Sequence, residues 1–325
     1  MTDMRLAQEE TSGRTGPLAY GRALEGWRGV LTCLLGLVWL VDGALQYQHY
    51  MFTQAFPREI IRPAADGNPG WVRGPIEWSA TLMSHHLILL NGAFATVQVL
   101  IALGFLWRRT RKPALVLSLI WGLSVWWMGE GLGGILTGPV SLLGGLPGAA
   151  LLYAVIAVLI WPRRAVPAGR YQRSAATAGA LGRVGALGLW AALWIWFAVE
   201  TVLPANRTAG GMHDTVAGMA DGEPHWIASI NKWGADLLAG RGLVVSIVLT
   251  ACLVLIALCV FVPSITRPGL ILAIVASLAI WVIAQDFGQI ATGTATDVNT
   301  GPLLALLALC YWPIKGSGAQ DVSSG

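Results

Sequence analysis

The sequence predicts an all-α membrane protein: eight transmembrane helices in two parallel four-helix repeats, both termini inside, with an interfacial helix in each long outer loop. Three observations carry this. Of 325 residues, 55% are apolar and only 12% are charged, about half the charged share of a soluble domain. Mean hydropathy is +0.62. The second observation is a series of apolar runs near the length of a bilayer crossing. The third is a match of the chain with itself at an offset of 155 residues. The composition argues against a soluble globular chain and excludes a disordered one. A net charge of +4, scattered over short loops, gives no surface for nucleic acid.

Residues 1–28 carry charges of both signs and read as a solvated cytoplasmic tail. They lack the charged, apolar and cleavage regions of a secretory signal, so the first span reads as an uncleaved anchor. A bilayer core needs about 20 apolar residues as helix. The runs 29–49, 83–107, 113–136, 143–161, 184–203, 242–262 and 269–291 meet or approach this, and 302–314 is a short eighth. For that last run a re-entrant segment is the alternative to a tilt-free crossing. With the N-terminus inside and all eight runs across, fifteen of the 21 basic residues fall on the inner side, as the positive-inside rule requires. Trp27, Trp107, Trp161 and Trp312 then mark the cytoplasmic interface. Richness in Arg, Ala and Gly points to a bacterial plasma membrane.

At the offset of 155, Trp39 pairs with Trp194, Trp71 with Trp226, Trp78 with Trp233 and Trp126 with Trp281. A-D-G-N-P-G-W at 65–71 returns as A-D-G-E-P-H-W at 220–226, and V-L-I-A-L at 99–103 returns at 254–258. The repeat divides the chain into a first unit at 29–162, a cytoplasmic linker at 163–183, a second unit at 184–314 and a cytoplasmic tail at 315–325. An even number of spans per unit makes the repeat parallel. After Pro302 the second copy reaches Trp312 four residues sooner than the first reaches Trp161 after Pro147, which predicts a last span one turn shorter than its twin. In each outer loop an Asp-Gly turn leads into a helix with tryptophans seven apart. The stripe Trp226, Ile230, Trp233 and Leu237 suits a helix lying on the outer leaflet. It reads as an anchor for the loop or as a lid over an outward site.

Ionisable groups inside spans are costly and are candidates for function. They are Asp42, Glu130, Glu200 and the pair Gln285-Asp286. All lie within about two turns of the predicted outer ends, and His85-His86 begin the second span on the same side. Twelve of the 17 acidic residues and all five histidines fall outward. Under the repeat, Glu130 corresponds to Gln285, Asp42 to Phe197 and His85-His86 to Gly240-Arg241, so the polar groups differ between copies while the Trp, Gly and Pro frame is kept. Several readings stand side by side. A redox pocket would use Trp126 and Trp127 as walls with Glu130 and His85 or His86 as hydrogen-bonding groups, and would take a quinone. A transport path would use Asp42, Glu130, Glu200 and Asp286 as relays. The same groups could be solvated near the headgroups or structurally paired. A metal site is not predicted, because adjacent histidines on a helix point to different faces. The glycine-rich stretches at 129–134 and 288–293 follow apolar spans and carry no P-loop lysine, so they read as close-packing positions rather than nucleotide loops. The four cysteines lie in apolar runs with no Cys-x-x-Cys and read as small hydrophobes.

Leu37-Val38-Trp39-Leu40-Val41-Asp42-Gly43, the outer loop, the V-L-I-A-L span and the Arg-x-x-Arg-Lys-Pro turn resemble the DoxX/DoxD-like superfamily of four-helix membrane proteins, here as two units in tandem. The G-E-G-L-G-G-I-L-T-G and T-G-x-A-T-D-x-N-T-G-P segments resemble uncharacterised actinobacterial membrane proteins. The superfamily resemblance implies a role beside membrane redox or thiol chemistry, as a quinone-proximal or anchoring component with a second membrane or periplasmic redox subunit as partner, and not as a catalyst alone. An ion- or proton-coupled transporter of a small solute and a structural subunit of a membrane complex are the alternatives.

Overall fold

The computed structural model describes residues 2–137, 141–163 and 174–314, with side chains from residue 20 onward. The tail predicted at 315–325, residues 164–173 of the linker predicted at 163–183, Gly138 of the glycine-rich segment, and Arg164, Arg170, Arg173 and Lys315 of the charge distribution lie outside the described residues. Among the described residues the chain is helical, without an extended sheet. Five segments are long and apolar enough to cross a membrane: Tyr20–Leu45, Leu87–Gly104, Gly182–Thr201, Gly242–Cys259 and Thr266–Thr292. This fits a multi-pass membrane protein lodged in a lipid bilayer.

The first half contains α1 (Thr2–Leu45), α2 (Gly70–His85), α3 (Leu87–Gly104), α4 (Arg111–Met128) and α5 (Ala149–Leu159). Short helical turns at His49–Phe52, Phe56–Ile61 and Arg62–Ala65 fill the long connection after α1. The second half contains α6 (Gly182–Thr201), the short α7 (Pro204–Arg207) and α8 (Gly211–Gly218), then α9 (His225–Leu238), α10 (Gly242–Cys259), α11 (Thr266–Ile283) and α12 (Thr300–Cys310). Helices α3 and α10 start 155 residues apart and have the same length, and so do α4 and α11. α4 is not among the five apolar segments, because it opens on Arg111-Lys112 and carries three tryptophans.

The fourth and eighth predicted spans turn out shorter than expected, and equal. α5 and α12 have 11 residues each, roughly 16 Å of helix, against about 30 Å of hydrocarbon. The four-residue difference between copies lies in the connection instead, which runs over 129–148 in the first half and 284–299 in the second. Both short helices are buried on nearly every face and pack against each other to join the halves, while α1 also touches α12. Protein surrounds them, so their length need not match the bilayer, and the irregular backbone ahead of each is tolerated because it too is covered by protein.

Around this centre α1 packs on α3, α4 on α5, α6 on α10 and α11 on α12. Close approach at the short turns is achieved differently in the two copies. A Cβ added at Gly104 would meet Ala114 Cβ at 2.9 Å, and one added at Gly269 would meet Cys259 Cβ at 2.1 Å. One member of each pair is glycine, on opposite helices. Of the cysteines, Cys259 and Cys310 are buried and Cys33 is exposed.

In α9 the predicted stripe faces away from the protein. Trp226, Trp233 and Leu237 are exposed, whereas Ile227, Asn231, Gly234 and Ala235 are buried. Trp71 and Trp78 of α2 are likewise exposed. The backbone breaks at His86 between α2 and α3, and across Ala239–Arg241 between α9 and α10.

The glycine-rich stretches do more than permit packing. Gly131, Leu132, Gly133 and Gly134 all have positive φ, between 57° and 75°, and so do Asp286, Phe287, Gly288 and Gln289, between 49° and 74°. Each half therefore ends α4 or α11 in a left-handed turn, which costs about 1–2 kcal/mol per non-glycine residue. The turn lets the next segment pass very close: a Cβ at Gly133 would meet Pro147 O at 2.1 Å.

Candidate functional site

Two cavities meet at the end of the bundle that carries the long connections. The first, of about 390 Å³, lies inside the first half between α1, α2, α3, α4, α5 and the turn at Phe56–Ile61. Its walls are aromatic: Trp39, Phe56, Trp78, Phe94, Trp121 and Tyr153. The Trp39 and Tyr153 rings lie 4.1 Å apart, and Phe94 meets Trp121 edge-on at 5.1 Å. Ile60, Trp78 and Ser124 line the cavity and are exposed, so it opens sideways between α2 and α4. The second cavity, of about 430 Å³, is polar and open, framed by the turn at 141–148, Thr215 of α8 and Asn299. Glu130, Ala149 and Asp297 line both.

Asp42 projects from α1 into the closed end of the aromatic cavity and is 2% exposed. The Tyr153 hydroxyl donates to its Oδ2. The backbone N–H of Val298, from the other half, donates to Oδ1 at 3.2 Å. One turn on, Gln46 Nε2 donates to Thr296 O at 3.2 Å, and Asn91 Nδ2 donates to Gln46 O at 2.8 Å. The connection before α12 thus crosses to the first half and closes over Asp42. The reverse crossing also occurs: Gln285 Nε2 donates to Leu142 O at 3.0 Å.

Glu130 stands just past α4. Its Oε1 accepts from Ala150 N–H at 3.0 Å, capping the start of α5. Gly148 leaves room for it, because a Cβ there would lie 2.2 Å from Glu130 Oε2. Gln285 has the same task in the other half, where its Oε1 accepts from Gly301 N–H at 3.1 Å. The tryptophan before each acts alike. Trp126 Nε1 donates to Pro147 O and Trp281 Nε1 to Val298 O, both at 2.8 Å. Trp126 therefore fixes the turn rather than walling the aromatic cavity, and Trp127 is exposed with its ring 6.5 Å from Trp71.

Asp297 completes the acidic group. Enclosure by protein pushes its carboxyl above the ordinary range, and hydrogen bonds from Asn299 N–H and Thr296 Oγ1 partly offset this. Among the described residues no Lys, Arg or His lines either cavity. Four buried polar atoms on the aromatic cavity's walls have no partner within the protein: Gln46 Oε1, Gln98 Oε1, Glu130 Oε2 and Trp121 Nε1. Buried polar atoms normally find a partner.

Comparison with protein-family models, with curated proteins and with solved structures returns no match to this chain.

Of the residues singled out from sequence, the structure brings Asp42 and Glu130 into one cavity. The others lie apart from it. His85 and His86 are exposed at the α2–α3 break, with His85 Nδ1 2.8 Å from Thr81 O. Glu200 accepts from Trp196 Nε1 at 3.0 Å within α6. Gln285 is buried as a cap, and Asp286 is buried where Asn231 Nδ2 donates to it. Sequence reasoning passed over Trp39, Gln98, Trp121 and Tyr153 as site residues; Asp297 lies in the turn-forming segment 294–301, read from sequence as closing the outer turn or binding an ion. A signal for several of them existed: they are where the copies disagree in polarity or size. Gln98 stands against Leu253 and Trp121 against Ala276 at the offset of 155. Tyr153 stands against Leu304 once the shorter connection is allowed for.

Proposed function

We propose that this chain is a bacterial plasma-membrane protein of two parallel four-helix repeats that binds and moves a small amphiphilic solute at an outward-facing acidic site, with protons as the coupled ion. One observation carries the reading. Glu130 and Asp297 sit where a polar cavity open at the long-connection end meets an aromatic cavity open to the flank of the bundle, and Asp42 lines the aromatic cavity beside them. Buried carboxyls in a membrane bundle are the usual proton relays, and two connected openings of unlike polarity suit a molecule passing between water and the outer leaflet. The helix spacing of 155, the equivalent left-handed turns and the paired caps Glu130 and Gln285 support the duplication. The excess of basic residues at the other end supports the orientation. That the two units are DoxX-like rests on their sequence motifs.

The test is proton flux in proteoliposomes holding the full chain. Asp42→Asn and Glu130→Gln are expected to cut flux about tenfold or more, as loss of a relay would. Asp286→Asn, outside the cavity, is expected to leave it unchanged. Equal flux in all four proteins would defeat the proposal.

A second reading keeps some support from the sideways opening and the aromatic walls: a quinone-proximal component of a membrane redox or thiol system. A neutral ring would enter from the bilayer and take hydrogen bonds from Trp121 Nε1 and the acid group. Native mass spectrometry of gently extracted protein separates the two, since a quinone site would carry quinone and a redox assembly would carry its partner subunit.

A further inference from the structure

The lining of the aromatic cavity says more about its occupant than that it is small and amphiphilic. Three carboxyl side chains converge at one end, from α1, from the residue after α4 and from the connection before α12. The body is apolar, with six aromatic residues set among aliphatic side chains such as Ile61, Leu82, Leu90 and Met128. No positive side chain is present to neutralise the carboxyls. The acceptors Gln46 Oε1, Gln98 Oε1 and Glu130 Oε2 are buried without partners, against a single unpartnered donor, Trp121 Nε1. Gln46 and Gln98 are themselves more than nine-tenths buried, at 6% and 7% exposure. A site of acceptors and carboxylates repels anions. A neutral quinone could take hydrogen bonds from Trp121 Nε1 and the acid group, but it would leave the buried acceptors Gln46 Oε1 and Gln98 Oε1 with no positive charge beside them. A compact inorganic ion would find the acid end but leave the aromatic body without a purpose. A cation with an apolar surface satisfies both parts: carboxylates answer its charge and the ring faces hold its body through cation–π contact, strongest where water is excluded. The volume of about 390 Å³ is within the range of drug-sized sites.

We propose that the aromatic cavity is a binding site for lipophilic organic cations, quaternary ammonium or arylphosphonium in type, with Asp42 and Glu130 as counter-charges. This deepens the acidic-site reading above and rests on it for the direction of entry, though binding itself requires no transport. Positive charge entering a group of carboxyls displaces their protons. The ionisable groups facing the cavity are Asp42 of α1, Glu130 beyond α4, Tyr153 of α5 and Asp297 of the connection before α12; α2, α3 and the turn at Phe56–Ile61 present none.

The experiment uses the full chain in nanodiscs and two probes of one shape and opposite charge, tetraphenylphosphonium and tetraphenylborate, read by calorimetry at several pH values. Tetraphenylphosphonium is expected to bind at least about tenfold more tightly than the anion, and to tighten as pH rises and protons compete less. Asp42→Asn is expected to weaken it about tenfold or more. Glu130→Gln retains the cap on α5 and is the second variant should Asp42→Asn not fold. Equal binding of the two probes would overturn the inference, and so would cation binding indifferent to pH and to both variants. Absence of cation binding with Asp42-dependent proton flux intact would also overturn it, while leaving the acidic-site reading in place. Charge-selective binding without flux would uphold the cation site and remove the transport reading.

Discussion

Where α1 carries Asp42, α6 carries Phe197; where α5 carries Tyr153, α12 carries Leu304; and Gln98 and Trp121 face the cavity at positions held by Leu253 and Ala276 in the second half. Phe197, Leu253 and Leu304 are buried, together with Trp190 and Trp194. The first half encloses an aromatic, acidic cavity. The matching region of the second half holds packed hydrophobic side chains. The supporting frame is shared: left-handed turns after α4 and α11, tryptophan N–H groups tied to the following segment, and Glu130 or Gln285 capping the short central helix. The two halves thus divide labour over similar backbone. The second half braces the first and lends it Asp297 and the Val298 N–H that serves Asp42. Three changes would break or sharpen this comparison.

The largest effect belongs to the left-handed turns. Gly133→Ala places a Cβ 2.1 Å from Pro147 O at a φ of +65°. It is expected to cost at least about 3 kcal/mol, combining a disfavoured backbone with a contact to rigid main chain. At the matching Gly288, φ is +74° but the nearest atoms, of Val298, lie at 2.7 Å, so Gly288→Ala is expected to cost less. Gly74→Ala, in open space inside α2, serves as the neutral or slightly stabilising control. Unfolding in detergent compares all three. Equal losses at Gly133 and Gly74 would remove the claim that the turn is set by close backbone approach.

Exchange of the caps is expected to be unequal. Gln285 uses both ends of its amide: Nε2 donates to Leu142 O at 3.0 Å and to Thr300 Oγ1 at 2.9 Å, while Oε1 accepts from Gly301 N–H. Gln285→Glu sets a carboxylate against the Leu142 carbonyl in a fully buried site, and is expected to cost about 2 kcal/mol or more. Glu130→Gln keeps its acceptor for Ala150 N–H and loses at most a favourable charge at a helix start, so it is expected to cost no more than about 0.5 kcal/mol. Comparable losses in the two unfolding curves would mean that the halves meet each other alike, with no crossing of the 141–148 turn onto Gln285.

These differences explain what was legible in the sequence. Helices α3, α4, α10 and α11 follow from long apolar runs bounded by Pro113, Pro268 and basic turns, and α2 and α9 follow from tryptophans seven apart. Asp42 and Glu130 stood out because a carboxylate in an apolar run is rare. The lengths of α5 and α12 were hidden, because apolar composition does not distinguish a helix covered by protein from one covered by lipid. The left-handed turns were hidden in the second half, where Asp286, Phe287 and Gln289 adopt positive φ without being glycine. Asp297 was hidden by distance: it lies 255 residues from Asp42, and only the crossing of one half's connection onto the other brings them to one cavity.

A smaller effect than that at Gln285 tests whether the two halves share one hydrogen-bonding plan. Trp39 Nε1 donates to Ser118 Oγ at 2.9 Å, across 79 residues of chain. At the same separation in sequence the residue matching Trp39 is Trp194 and that matching Ser118 is Ala273, both buried, and Trp194 Nε1 has no partner. A buried N–H left unpaired costs about 1–3 kcal/mol. Ala273→Ser restores the hydroxyl that Ser118 supplies in the first half. It is expected to raise stability by about 1 kcal/mol, the net worth of one hydrogen bond, less whatever the extra oxygen displaces at a site that is fully buried. Ser118→Ala is the converse and is expected to lose a similar amount, and the double variant is expected to return near the starting stability, since the two sites share no partner. If Ala273→Ser destabilises while Ser118→Ala is neutral, Trp194 and Trp39 are not equivalent and the halves diverged in their frame as well as in their filling.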